Sequence, residues 1–367
     1  MNKSHIAVAA IAASFCVAAG GAVAQTASFY QGKQINLLIN FTAGGPTDTE
    51  ARLVARHLGA HIPGNPAILA RNMGGAGGLI GANYVGQVAP PDGLTLGYFS
   101  GIGSKAMMAD PGLRIDIGKF AFVAAGPGIS VTYVRKDVPP GLATPADIMK
   151  AKGFWVGGFT PDDGKDIRER MELDFLGLNY NYLAGYTGSA EARLALQQNE
   201  IQMFTESMPT YRSSIEPALV KTGQVIPTWY DPLDNGENFY TSSDAAGIPA
   251  LRYDQFLEQA KGSLPTGDMW DAYRQLNAVD TSFLRVLLMP PDTPQQEVAI
   301  IQKAFDELAN DADYKADAMT TVKFVPQFLT NDKTTALFRK SMKADPKVLQ
   351  FLKDYIAQGE KLANSHH

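Results

Sequence analysis

Near the N-terminus one order of signals occurs twice: an apolar strand, a glycine-rich loop and the start of an amphipathic helix. In the first copy Ile35, Leu37, Ile39 and Phe41 alternate, and Leu38 makes the run apolar enough for burial on both faces. Thr42, Ala43, Gly44, Gly45 and Pro46 follow as a loop. Thr47 and Glu50 then have the T-x-x-E spacing of a capping box, and Ala51, Val54, Ala55 and Leu58 mark one helical face. Residues 67–71, 74–78 and 79–88 repeat the scheme, and the turn Asp92-Gly93 leads into a strand over 94–99. Such alternation predicts an α/β fold with a mostly parallel sheet, whose ligand site lies at the carboxyl ends of its strands.

A length of 367 residues exceeds what one hydrophobic core usually organises, so two domains are expected. A second α/β block begins with strand material over 122–134, broken by Gly126-Pro127-Gly128. It continues with a helix near 145–152, a strand over 153–159, a loop over 160–165 and a helix over 166–176. Strand-like residues 182–187, a helix over 189–198 and strands over 201–205 and 225–229 complete it. Residues 232–284, punctuated by Pro232, Pro249 and Pro265, read as loop-rich. Thr293 and Pro294 then cap a helix striped by Val298, Ile301, Phe305 and Leu308.

Composition excludes several classes. A formal charge of −5, with no basic run, argues against nucleic acid as a partner. Lys3, an apolar stretch over 6–19 and the small-x-small pattern Ala22-Val23-Ala24 predict a cleaved secretory leader over residues 1–24, too short to span a bilayer. Cleavage removes Cys16, the single cysteine, and with it any disulfide, thiol nucleophile or thiolate metal ligand. Only His57 and His61 remain beside His5 and the terminal His366 and His367. They sit at i, i+4, but the residues between them supply no glutamate, so they read as a solvated helix end rather than a zinc site. No cofactor motif is present: the P-loop lysine is missing, and Ile80 stands where the dinucleotide fingerprint over 75–80 needs glycine.

The glycine loops have a more direct use. A helix start exposes about four unpaired N–H groups and roughly half a positive charge, and a glycine approach lets an anion come close to the backbone. The loop before Thr47 is therefore expected to hold a carboxylate or phosphate, with the Thr42 and Thr47 hydroxyls adding donors. The other reading is that the glycines serve tight turns alone.

These residues bring a family into view. INLLINFTAGGPTDTE at 35–50, RNMGGAGGLIGA at 71–82 and APPDGLTL at 89–96 resemble the solute-binding proteins of tripartite tricarboxylate transporters, the Bug family with its TctC-like receptors. YVRKDVPPGLATPA at 133–146, GYTGSAEARLALQQNEIQ at 185–202 and MPPDTPQQEVAIIQKAFDELA at 289–309 extend the resemblance in the same order across nearly the whole mature chain.

The resemblance implies a bilobal, type II venus-flytrap receptor in the periplasm. It would bind a small organic acid, without cofactor or catalysis, and deliver it to membrane permease subunits as a monomer. It implies a site built from Phe41, Thr42, Ala43, Gly44, Gly45, Thr47, Asp48, Gly77, Gly78 and Ser100 in one lobe. From the other lobe come Phe159, Thr160, Asp162, Tyr186, Thr187, Thr205, Glu206 and Ser207. Crossings near Ala124 and Trp229 would place residues 25–124 and 230–367 in lobe one and 125–229 in lobe two.

Where such proteins have a Ser/Gly-rich loop, residues 157–166 bring Phe159 and the carboxylates Asp162, Asp163 and Asp166. Either Asp162 or Asp163 faces the cleft, or the loop is a solvated turn with Asp166 at a helix start. Glu206 is either a pocket acceptor or a loop residue at a strand end. Two other functions stay open: a secreted enzyme using Asp48, Asp162 or Glu206 as acid and base, and a receptor docking on a signalling partner. The aromatic content permits an aromatic acid without pointing to one.

Overall fold

A computed structural model describes residues 29–234 and 238–364. The expected leader, Cys16 and the terminal histidines lie outside the described residues. The described residues form a five-stranded sheet, a six-stranded sheet and a two-stranded ribbon.

In the first sheet β1 (Gln34–Ile39) runs parallel to β2 (Ala67–Asn72) and β3 (Thr95–Phe99). The late strand β13 (Arg285–Met289) inserts antiparallel between β3 and β4 (Ala121–Gly126). In the second, β5 (Ser130–Arg135) pairs antiparallel with β8 (Met203–Ser207) and β9 (Val225–Tyr230). There β6 (Lys152–Gly157) runs parallel to β7 (Asn179–Leu183) and β8, and β12 (Leu251–Arg252) pairs with β9. A small ribbon joins β10 (Leu233–Asp234) and β11 (Phe239–Tyr240).

Helices cover both faces of each sheet. On the first these are α1 (Pro46–Leu58), α2 (Leu79–Gln87) and α3 (Ile102–Met107), and later α9 (Gln295–Leu308), α10 (Ala312–Thr321) and α11 (Asp332–Ser341). On the second these are α4 (Gly164–Leu176), α5 (Ser189–Gln197) and α6 (Met208–Thr210, continuing as a π-helix over Tyr211–Val220). They are joined by α7 (Tyr253–Lys261), α8 (Asp268–Ser282) and α12 (Pro346–Asn364). The α/β alternation expected of the N-terminal region is present, with β1 buried at Ile35, Leu37, Leu38 and Ile39. Among the described residues no helix is long and apolar enough to cross a membrane.

Several expectations are corrected. Residues 232–284 are not loop-rich, because Tyr253, Phe256 and Leu257 and then Trp270, Tyr273, Leu276 and Val279 build two apolar helical faces between the prolines. The chain does not return to the first lobe near Trp229. Its ring packs on Tyr253 and Phe256 at centroid distances of 5.6 and 5.2 Å, and the indole N–H donates to Glu172 on α4. The crossings are thus β4 to β5 and α8 to β13. A third follows α11, since Val348, Leu352 and Tyr355 of α12 join the second core and Arg170 of α4 lies over the Tyr355 ring. His57 and His61 are half-buried, and each pairs at 2.8 Å with an aspartate flanking or within α10, Asp317 and Asp311. Thr47 and Glu50 form no capping box: α1 starts at Pro46 with Gly45 as N-cap.

Leu352 is fully buried against the second-lobe helices. Leu352→Ala should lower the unfolding free energy in urea by about 2–5 kcal/mol. A loss under about 1 kcal/mol would contradict the docking of α12 there.

Candidate functional site

Five strand ends of the two sheets turn into helix starts around one space. Phe41, Thr42 and the segment Gly45–Pro46–Thr47 lead from β1 into α1, and Ser100 and Gly101 from β3 into α3. Phe159 and Asp163 lead from β6 into α4, Ser189 opens α5 after β7, and Ser207 ends β8 before α6. With Ser130, Lys165, Arg168, Thr205, Glu206, Asp280 and Leu284 they line one small cavity.

At the start of α1, Gly45 caps without a side-chain bond and Pro46 has no N–H to offer. Among the described residues the amides of Thr47 and Asp48 find no acceptor. Gly44 is different, because its amide donates to Asp48 Oδ2 at 2.9 Å. The Asp48 carboxylate also accepts from Arg52 Nε and Asn72 Nδ2, so it shapes the loop instead of lining the cavity.

Phe41, Thr42, Gly45, Thr47, Ser100, Phe159, Thr205, Glu206 and Ser207 are brought together at the cavity wall. Ala43, Gly44, Asp48, Gly77, Gly78, Thr160, Asp162, Tyr186 and Thr187 are not on it. Of the nine on the wall, two have no side-chain group to spare. The Thr205 hydroxyl donates to Glu169 Oε1 and meets Thr132 Oγ1, while Glu206 accepts from Arg193, Thr210 and Tyr133. Asp48, Asp162 and Glu206, the acid and base groups of the enzyme reading, are thus each engaged elsewhere.

Contacts between lobes account for most of the residues off the wall. Lys105 of α3, almost fully buried, pairs with Asp162 at 2.9 Å and with Asp110 at 2.8 Å. Burial alone would raise the Asp162 carboxyl, but Lys105 beside it holds it down at about 2. Arg193 of α5 donates to the Gly44 carbonyl at 2.9 Å, and the Thr42 hydroxyl to the Thr187 carbonyl at 3.5 Å. The Phe41 and Phe159 rings meet at 5.5 Å. Gly77, at φ +59°, admits the second lobe closely: a Cβ there would stand 3.3 Å from both Lys105 Cε and Thr160 Oγ1.

Of the charged residues on the wall, sequence reasoning named Glu206 and weighed Asp163 but missed Lys165, Arg168 and Asp280. Lys165 pairs with Asp166 and Glu169, and its ammonium stands 4.9 Å from the Phe159 ring centroid. Arg168 pairs with Asp231 at 2.9 Å and Asp280 at 3.2 Å. Asp163 caps α4 through the Lys165 amide. Burial, reinforced by Asp166, pushes its carboxyl up to about 7 against the pull of Lys105 and Lys165. No motif announces Arg168, whose ion-pair partners lie 63 and 112 residues away in the chain.

No family model matches the chain. A UPF0065 protein of Agrobacterium vitis, from the TAR-I ttuE-ttuC' intergenic region, is 31% identical over 185 residues, which are 49% of this chain and 53% of that relative. BugT of Bordetella pertussis is 37% identical over 96 residues, 26% of this chain and 28% of BugT. The chain therefore spans about half, or less, of the length of these curated relatives. In fold it is similar to the periplasmic binding protein BugD, with a TM-score of 0.65 at 17% identity over 89% of this chain and 98% of that one. MatC of Rhodopseudomonas palustris, solved with bound malate, gives a TM-score of 0.60 at 19% identity over 90% and 99%. The chain has the bilobal fold of periplasmic binding proteins and resembles Bug-type proteins in sequence.

The Asp163 shift sets a sign. Between its ordinary value of 3.8 and about 7 the folded chain holds a proton that the unfolded chain has released. Its stabilising share is therefore complete below pH 3.8 and is lost as pH rises through 7. Asp163→Asn keeps the cap and removes the titration. Relative to the parent, the variant should gain roughly 1–3 kcal/mol of stability between pH 4 and 7; parallel stability curves would contradict the assignment.

Proposed function

We propose that this chain is a periplasmic solute-binding receptor of the Bug and TctC kind. It captures a small organic carboxylate between its lobes and hands it to the permease subunits of a tripartite tricarboxylate transporter. The observation that carries the reading is the convergence of five helix starts on one cavity between two α/β lobes, with the Thr47 and Asp48 amides left over at the first. Such donors favour an anion at any pH and need no free cation.

The first lobe offers the Thr47 amide and the hydroxyls of Thr47 and Ser100, and the second completes the enclosure with Phe159, Ser189 and Ser207. An acid touching both lobes does so only in the closed form, so binding shifts an open ensemble toward closure. The similarity to malate-bound MatC supports a carboxylate. The periplasmic location is supported by the leader expected over residues 1–24 and by the similarity to BugD.

Acids from acetate and benzoate through malate, succinate and adipate to citrate test the reading by thermal melting and small-angle scattering. At a hundred times its Kd the correct acid should add about 2.7 kcal/mol, a rise of several degrees, and make the scattering profile more compact. Absence of both effects across the panel would sink the reading. At φ −89° Gly45 tolerates a side chain, but its Cβ would stand 3.7 Å from Ser189 Cβ across the cleft. Gly45→Leu should therefore fold and bind at least roughly tenfold more weakly.

A further inference from the structure

We propose that Arg285 is a positioning residue that turns two serines, one from each lobe, into hydrogen-bond donors for the bound carboxylate. The proposal rests on the receptor reading above. Arg285 opens β13 immediately after the chain returns to the first sheet, and its side chain is buried. Nε donates to Glu50 Oε2 at 3.0 Å. Nη1 donates to Ser100 Oγ at 3.2 Å and to the Leu284 carbonyl at 3.1 Å, and Nη2 to Ser207 Oγ at 3.1 Å.

A guanidinium has donors only. Each serine oxygen therefore accepts from Arg285, and each hydroxyl hydrogen is left to point elsewhere. Among the described residues neither hydroxyl has a protein acceptor, and Ser207 makes no side-chain cap to α6. Both serines line the cavity, whereas Arg285 does not. The open direction for both hydrogens is the cavity. A hydroxyl that accepts a charge-assisted bond is polarised into a better donor, so part of the buried charge is relayed to a site it does not touch.

The ion pair with Glu50 keeps the guanidinium from being an uncompensated buried charge. Ser100 follows β3 of the first sheet and Ser207 ends β8 of the second. One rigid fork spanning them fixes the distance between the two donors only while the lobes are closed. The ligand chemistry this selects is an anionic oxygen acceptor, such as a carboxylate, over an amide or alcohol of the same shape.

The test titrates malate, succinate, citrate, adipate and, as a neutral control, succinamide into wild type, Ser100→Ala, Ser207→Ala, the double serine variant and Arg285→Lys, by calorimetry. Lysine keeps the charge beside Glu50 but cannot fork to two hydroxyls. Each serine variant should bind the acid roughly tenfold more weakly, with ligand-free melting unchanged within a few degrees. Arg285→Lys should cost a similar factor alone and almost nothing further in the double serine background. A full, additive loss there would make Arg285 a brace for Glu50 and overturn the proposal. Serine variants that bind as wild type would overturn it alone, even if Arg285→Lys fails to fold. A wild type that binds none of these four acids, nor acetate or benzoate, overturns the receptor reading and this proposal with it.

Discussion

A backbone amide in the first turn of a helix has no partner in that helix, and burying it without an acceptor costs free energy. This fold places several such turns around one enclosed space, so how each amide is satisfied decides what the space can hold. The chain answers some of the demand itself: Asp48 takes the Gly44 amide and Asp163 takes the Lys165 amide. Thr47 and Asp48 keep their own amides free at the start of α1, where glycine and proline leave the approach open. The amides left without an acceptor are thus fewer than the glycine loop supplies and lie at the helix start.

The same economy governs the charged side chains. Arg168 and Lys165 reach the cavity wall, yet each is committed to two carboxylates, and Arg285 behind the wall is committed to Glu50. A free buried cation would be expensive in the empty protein and would hold any anion indiscriminately. Paired cations contribute field without offering a vacant ion-pair partner. Discrimination is then left to the placement of neutral donors, which depends on lobe geometry and so on closure.

This division explains what was legible in the sequence. The β1 to α1 unit could be read from local signals, since alternation, glycine and proline act within a few residues. Thr42, Gly45 and Thr47 line the cavity. Glu50 shows the limit: its spacing from Thr47 suits a capping box, but Arg285, 235 residues away, takes its carboxylate instead. Asp162 was expected in or beside the cleft and belongs to Lys105 of the other lobe. The helices α7 and α8 were hidden because prolines in the connections outweighed an aromatic stripe whose partners, Trp229 and Phe175, lie outside that segment.

Lobe closure itself is constrained by how often the chain changes lobe. Three passages, over residues 127–129, 283–284 and 342–345, join the halves, and the first two are short. Two short connections side by side permit rotation about the line through them. The third, tied to the second lobe by Gln275 donating to the Lys343 carbonyl, restricts that rotation in range and in direction. Arg285 begins one residue beyond the second passage, close to any such axis, where a swing of the lobes displaces atoms least. A fork placed there can keep its bond to the first-lobe serine through the motion and make or lose only the one to Ser207. Two contacts across the cleft, Lys105 to Asp162 and Arg193 to the Gly44 carbonyl, have to break for the lobes to separate at all.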